Sequence, residues 1–198
     1  MSYLTLSVEI HGRTALVVGG GAVACRKVKT LLGAGARVRV VTPVLDPELE
    51  KLRNADDIGV RIGLYTSHDL NGVFLVVAAS DSIEANAEIA SDARERDILV
   101  AVVNAPQLGN CIFPATLQRG ALEIAVSSGG RCPAFSVVVR DYLSDLVGDD
   151  FGAALEQVAA AREKLLTEGN CSTYNAKTVR ALAQRLIAAL SDTEETAS

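Results

Sequence analysis

Between Thr14 and Leu32 the chain passes from a short apolar run, Thr14-Ala-Leu-Val-Val-Gly19, through consecutive glycines into a stretch of helical spacing. This junction constrains the fold more than any other part of the sequence. Gly19-Gly-Gly21-Ala-Val-Ala24 fits G-x-G-x-x-A placed between a strand and a helix. Gly19 permits the tight turn, Gly21 leaves the backbone open to a pyrophosphate, and Ala24 is small enough for the helix to pack on the strand. The helix then begins with free N–H groups facing the anion. Gly19, Gly21, Ala22 and Val23 are therefore expected to line a dinucleotide's pyrophosphate. A glycine turn with no ligand is the alternative.

The helix, Ala22 to Leu32, carries apolar Val23, Val28, Leu31 and Leu32, and Gly33 and Gly35 close it. Strand-like runs recur at Val38–Val41, Val60–Leu64, Val73–Ala78 and Leu99–Val103, with a helical stretch from Ser82 to Arg96. Short apolar strands alternating with amphipathic helices imply an α/β fold, a Rossmann-like parallel sheet covered on both faces. Upstream, Leu4, Leu6, Val8 and Ile10 alternate with other residues, which predicts an extended segment with one face inward.

After about residue 112 the rhythm changes. Phe113–Gln118 and Leu122–Ser127 read as a hairpin turning at Arg119-Gly120, followed by helices over Ala134–Leu146, Phe151–Glu168 and Ala176–Leu190. The expected organisation is a dinucleotide-binding domain over 1–112, a dimerisation section over 113–147, a small helical section over 148–190 and a flexible tail over 191–198. A hairpin with one helix buries its apolar face poorly, so this middle section is expected to pack on a second copy of itself, as a homodimer.

Composition closes off other classes. With 49% hydrophobic residues and a net charge of −5 the chain can bury a core. The longest apolar run, Val73–Ala79, has seven residues, against the roughly 20 of a spanning helix. No membrane and no secretory start are expected, which points to a cytoplasmic protein. The acidic balance argues against nucleic acid as a partner. Cys25, Cys111, Cys132 and Cys171 form no C-x-x-C, and His11 and His68 add no zinc-ligand spacing, so no protein-held metal is expected.

One element of the dinucleotide pattern is missing. An acid usually follows the second strand and holds the ribose hydroxyls. Here the strand ends Val40-Val41-Thr42-Pro43, and the nearest acid, Asp46, lies beyond the proline. Backbone groups near Thr42–Val44 would serve instead, with Pro43 and Val44 on the adenosine side. The choice between NAD and NADP is not set by a carboxylate, and Arg37 and Arg39 do not by themselves make a 2′-phosphate site.

Gly19-Gly-Gly-Ala-Val-Ala-Cys-Arg-Lys27, Leu-Leu-Gly-Ala-Gly-Ala36 and Val-Val-Thr-Pro43 resemble the start of the sirohaem synthase N-terminal family, the precorrin-2 dehydrogenases and sirohydrochlorin ferrochelatases. Ala78-Ala-Ser-Asp81 with Asn86 is similar to its A-A-T-D…N segment. Phe113-Pro114 and Gly120-Ala-Leu-Glu-Ile-Ala-Val-Ser-Ser-Gly-Gly-Arg-Cys-Pro133 resemble its most distinctive block. The likeness covers roughly residues 1–150, and the methyltransferase domain of some members is not in this sequence, as in a standalone member. The resemblance implies a dimer that uses NAD to oxidise the tetrapyrrole precorrin-2 to sirohydrochlorin, with Fe²⁺ inserted afterwards by some members. The substrate's many carboxylates call for local positive potential, and Arg119, Arg131 and Arg140 are the candidates. Ser128, ahead of a helix with Pro133 in its first turn, is a candidate substrate contact, although helix capping explains it equally.

The sequence departs from the family where chemistry is expected. Members usually carry N-V-x-D after the fifth strand, with the aspartate serving proton movement. Here Ala101-Val-Val-Asn104 stands in its place. A carboxylate accepts a proton near neutral pH, whereas an amide offers only hydrogen bonds. Three readings stay open at Asn104: a dehydrogenase whose proton goes elsewhere, a chelatase, or a non-catalytic tetrapyrrole or NAD carrier or sensor. His11 and His68 are the candidates for a substitute proton acceptor, and a plain solvent-facing histidine is the alternative reading of each.

Overall fold

The computed structural model describes residues 3–168 and 176–195. The chain divides after Phe113 into two compact units.

The first unit is a parallel sheet with helices on its faces. Its elements are β1 (Thr14–Val18), α1 (Ala22–Gly33), β2 (Arg37–Thr42), α2 (Pro47–Asn54), β3 (Ile58–Ile62), β4 (Leu75–Ala78), α3 (Ile83–Arg94) and β5 (Leu99–Val102). The strand order is β3-β2-β1-β4-β5, every pair parallel. Where both faces are covered, at β1, β4 and β5, the strands read as nearly continuous apolar runs, whereas arginines interrupt β2 and the edge strand β3. Ala15, Val17, Val38, Val40 and Val77 pack with Ala24, Val28 and Leu31 of α1 on one side. Leu16, Val18, Val41, Val76 and Val100 pack with Ile89, Ala90 and Ala93 of α3 on the other. The order reverses between β1 and β4, and the crevice at the carboxyl ends of such strands is where ligands bind in open α/β sheets.

Three local features differ from or add to what the sequence shows. Leu4, Leu6 and Val8 do not face inward: they are exposed, and only Ile10 packs on the core. Alternation needs a neighbouring strand to bury one face, and no strand of the sheet pairs with this segment. Second, α2 lies where no helix is read from the sequence. Asp46 caps it, its side chain accepting from Glu48 N at 2.8 Å, and Pro47 opens its first turn. Leu49 alone is fully buried there, too little apolar signal to betray a helix. Third, no α-helix joins β3 to β4. A 3₁₀ turn, Ser67–Leu70, drops Leu70 into the core. Arg61 clasps Asp69, with Nε donating to Oδ1 at 2.8 Å, and Arg39 donates to the carbonyls of Asp69 and Asn71 at 3.0 and 2.9 Å. Arg39 thus holds this turn.

The second unit comprises the antiparallel hairpin β6 (Ala115–Arg119) and β7 (Leu122–Val126) and the helices α4 (Pro133–Leu146), α5 (Asp150–Glu168) and α6 (Ala176–Glu195). Gly120 turns the hairpin at φ +58°, and α5 packs so tightly there that a Cβ on Gly152 would lie 2.5 Å from Arg119 O. The core is thin, with Leu117, Ser136, Gly152 and Ala154 its buried residues among those described. Along α4, Phe135, Val138, Tyr142 and Leu146 recur at helical spacing, and all are exposed. Helix α6 runs past residue 191 to Glu195, into the stretch expected to be a flexible tail; Cys171 and residues 196–198 lie outside the described residues.

Candidate functional site

The glycine turn sits at the carboxyl end of β1. Gly19 donates to Val41 O at 2.9 Å and has φ +128°, and a Cβ there would stand 2.3 Å from Ala79 O. Any side chain at this position would collide with the end of β4. Gly20, a free position in the sequence pattern, is equally confined: a Cβ would stand 2.0 Å from Val44 O, and its own carbonyl accepts from Asp46 N at 3.0 Å. Nothing in the local spacing reveals this, because the obstacle comes from the turn after β2. Gly21 differs. It caps α1 in extended conformation, is exposed, and a Cβ there would meet nothing within 4 Å. The turn is therefore closed on its protein side by Gly19 and Gly20 and open on its outer side at Gly21. Ala22 is exposed, Val23 half-buried and Ala24 fully buried against the sheet. No side chain caps α1 and its first turn holds no acid, so the N–H groups of that turn remain for an anion. These residues fit a dinucleotide pyrophosphate.

Beside this turn, Thr42 is buried and its Oγ1 donates to Val44 O at 2.7 Å, which folds the chain back at Pro43 and Val44. Both are exposed. Asp46 is committed to the α2 cap, so the acid nearest the second strand is used structurally.

A polar cluster occupies the ends of β4 and β5. Asn86, 1% exposed, accepts at Oδ1 from Ser80 N at 3.2 Å and from Ser80 Oγ at 2.8 Å. Its Nδ2 donates to Ser80 O at 2.9 Å and to Asn104 Oδ1 at 3.2 Å. Asn104 itself is exposed, just beyond β5. Gly19, Ser80 and Asn104 thus follow strands that are neighbours in the sheet, all at the carboxyl edge. Asn86 is visible in the sequence only as part of a resemblance; its bridge to Asn104 needs the fold.

The histidines lie elsewhere. His11 precedes β1 and packs beside Gly35, at the amino ends of the strands, and His68 is exposed in the turn that leads toward β4. Neither joins the glycine turn or Asn104. Lys27, one turn into α1, stacks over the Phe113 ring at 4.1 Å, and burial followed by repulsion from Arg26 lowers its pKa. Burial pushes the Cys111 thiol up to about 11, which leaves it protonated and unreactive near neutral pH.

In the second unit, Ser127-Ser-Gly-Gly130 is a turn in which Gly129 and Gly130 have φ +62° and +77°. Ser127 Oγ accepts from Gly129 N at 3.2 Å and Ser128 Oγ from Cys132 N at 3.1 Å. Ser128 therefore satisfies a donor ahead of α4 while its own hydroxyl proton stays available. Arg131 is exposed, and Arg140 pairs with Asp141 at 2.6 Å. Arg119 is occupied: its guanidinium donates to Val147 O, Ser144 O and Ser144 Oγ at 2.8, 3.1 and 2.8 Å, closing the end of α4. Its charge is readable in sequence, whereas its structural employment is not. Among the described residues, no three His, Cys, Asp or Glu side chains gather as metal ligands, and no helix is long and apolar enough to cross a membrane.

Residues 6–115 match the model of a family described as "Putative NAD(P)-binding". The chain is 44% identical over 152 residues to the sirohaem synthase of Ectopseudomonas mendocina (strain ymp), covering 77% of this chain and 32% of that one. It is 40% identical over 165 residues to the sirohaem synthase of Pseudomonas entomophila (strain L48), covering 83% and 36%. It thus spans about a third of the length of these curated relatives. Among solved structures it is similar to "SirC, precorrin-2 dehydrogenase", with a TM-score of 0.71, 25% identity, and coverage of 93% of this chain and 98% of that one.

Proposed function

Because the chain belongs to the NAD(P)-binding family over residues 6–115, we propose that it is an NAD-dependent precorrin-2 dehydrogenase of sirohaem biosynthesis. The observation that carries this reading is the extent of the likeness to SirC, which runs through both units rather than through the nucleotide-binding one alone. Precorrin-2 loses two electrons as a hydride together with a proton, and becomes sirohydrochlorin. NAD⁺, when bound, takes the hydride. The chain's part is to hold and orient. The N–H groups of Gly21, Ala22 and Val23 meet the pyrophosphate, and the exposed turn at Pro43 and Val44 meets the adenosine side. Asn104, at the end of β5, faces the reacting partners. It is an amide and takes no proton, so the proton leaves to solvent. Ser128, Arg131 and Arg140, with the N-terminal turn of α4, meet substrate carboxylates. Arg119 is left out of that set because its donors close α4.

The chain acts as a homodimer through the apolar stripe Phe135, Val138, Tyr142 and Leu146 of α4, whose exposure supports the assembly. Insertion of Fe²⁺ as a second substrate is slow in the natural chain. Metal insertion requires ring protons to be removed while a cation is delivered, and Asn104 supplies neither a base nor a negative charge.

The test is anaerobic incubation of the full chain with precorrin-2 and NAD⁺, following sirohydrochlorin and NADH together. Equal appearance of both is expected, followed by sluggish iron uptake that Asn104→Asp accelerates by about tenfold or more. No product from the natural chain, with product from Asn104→Asp, would mean a tetrapyrrole carrier or sensor rather than a dehydrogenase.

A further inference from the structure

We propose that Asn86 is a positioning residue that fixes the side-chain amide of Asn104, so that this site presents a hydrogen-bond donor to an acceptor atom of the anionic tetrapyrrole. The ligand's identity rests on the functional reading above. The orientation of the amide does not.

Hydrogen-bond polarity runs along a chain of groups from Ser80 through Asn86 to Asn104. An amide side chain can be turned end for end, so its orientation must be set by a partner whose role is fixed. Here that partner is the backbone N–H of Ser80, which can only donate. It meets Asn86 Oδ1 at 3.2 Å, which settles that end of Asn86 as the acceptor. The opposite end is then the amino group, and the carbonyl of Ser80, which can only accept, agrees: it lies 2.9 Å from Asn86 Nδ2. The second proton of that amino group goes to Asn104, so the atom of Asn104 at 3.2 Å must be its oxygen. The Asn104 amino group is thereby turned away from Asn86, and it donates to no described residue.

Energetics favour this arrangement over the flipped one. Asn86 is 1% exposed and has all its polar positions matched: two bonds accepted and two donated. Flipping Asn104 would bring two amino groups together and strand a donor that no water reaches, the costly case for a buried polar atom. An exposed asparagine would otherwise sample both orientations, and half its encounters with a ligand would present oxygen. Asn86 removes that ambiguity. A carboxylate at 104 would accept the same bond but present a second acceptor outward, so the natural residue reverses the sign of what the ligand meets. The acceptor it suits is a carboxylate oxygen or a ring nitrogen bearing a lone pair.

The experiment has one arm that needs no turnover and one that reads coupling. In ¹⁵N-labelled full-length protein, the Nδ2 protons of Asn86 and Asn104 are assigned by their loss in Asn86→Ser and Asn104→Ser. Asn86 protons protected from exchange with water, beside freely exchanging Asn104 protons, are expected; the opposite pattern overturns the proposal. In the second arm, sirohydrochlorin and NAD⁺ affinities are measured for Asn86→Asp, Asn104→Ala and the double variant. At position 86 a carboxylate cannot donate, so it forces the Asn104 amide to turn its amino group inward. About tenfold weaker sirohydrochlorin binding is expected, with NAD⁺ affinity unchanged. In the Asn104→Ala background the same change is expected to have no further effect on sirohydrochlorin. A residue with a merely structural role would weaken binding equally in both backgrounds, and that outcome also overturns the proposal. Should Asn86→Asp not fold, the exchange arm still decides. If the natural chain binds no sirohydrochlorin, the functional reading fails and the exchange arm alone rules on the amide.

Discussion

The two units answer the burial problem in opposite ways. In the first, helices pack on both faces of a five-stranded sheet around its central strands, and Val17, Val28, Val40, Val76, Val77, Ile89 and Val100 are fully buried. In the second, a two-stranded hairpin and its helices bury only Leu117, Ser136, Gly152 and Ala154 among the described residues, while Phe135, Val138 and Tyr142 of α4 are each more than 60% exposed. A sheet covered on both sides needs no partner for stability. The hairpin and its helices leave the apolar stripe of α4 at the surface, the kind of area that an interaction partner covers. The difference assigns tasks: the first unit carries the rigid frame that a nucleotide site requires, and the second carries the exposed apolar stripe on which the homodimer proposed above rests.

The largest effect is expected where the first unit is densest. Ile89→Ala removes a fully buried side chain between α3 and the sheet and is expected to cost about 2–5 kcal/mol in denaturant unfolding. A loss under about 1 kcal/mol would show a looser core than the packing implies, and the contrast between the units would weaken.

Next come the glycines, which separate what the frame needs from what the ligand needs. Gly20→Ala drives a methyl group against Val44 O and is expected to lower stability by about 1–3 kcal/mol together with NAD⁺ affinity. Gly21→Ala meets no protein atom, so stability is expected to hold while NAD⁺ affinity falls about tenfold or more, because the methyl lies in the path of the pyrophosphate. Equal stability losses in thermal melts, or an unchanged affinity for Gly21→Ala, would remove the distinction.

Val138→Asp tests the other side of the comparison. On the exposed face of α4 it is expected to abolish the proposed homodimer in sedimentation, while the melting of the first unit stays within about 0.5 kcal/mol of the natural chain. If that transition falls with the assembly, the units are not independent.

How much of this was legible follows the same division. The central strands of the first unit can be read because burial on both faces makes β1, β4 and β5 apolar runs, and the glycine turn because its steric demands are local. Leu4, Leu6 and Val8 mislead because alternation records a potential face and not a partner strand. Helix α2 escapes because a single buried leucine leaves no periodic trace, although its Asp46-Pro47 start is in plain view. Gly20 and Asn86 escape for a different reason. What restricts Gly20 is Val44 O, and what employs Asn86 is Asn104, each brought together only by the order of the sheet. Arg119 shows the reverse: its positive charge is in plain view in the sequence, whereas the bonds that commit its guanidinium to the end of α4 are not.

The smallest effect concerns the clasp where β3 meets the 3₁₀ turn, a place where the first unit lacks a covering α-helix. Burial alone would raise the Asp69 carboxyl, but hydrogen bonds from Arg61 and from Thr66 outweigh it and hold its pKa below the usual value. A carboxyl whose folded pKa is depressed stabilises the fold above its unfolded pKa, about 3.9, and loses that contribution as pH falls through the folded value. The natural chain is therefore expected to lose stability below about pH 4 more steeply than Asp69→Asn. Near neutral pH the two should differ by less than about 1 kcal/mol, because Arg61 is largely exposed and its pairing is screened. Parallel acid limbs for the two proteins in pH-dependent unfolding would mean that Arg39, donating to the carbonyls of Asp69 and Asn71, holds this turn without the carboxylate.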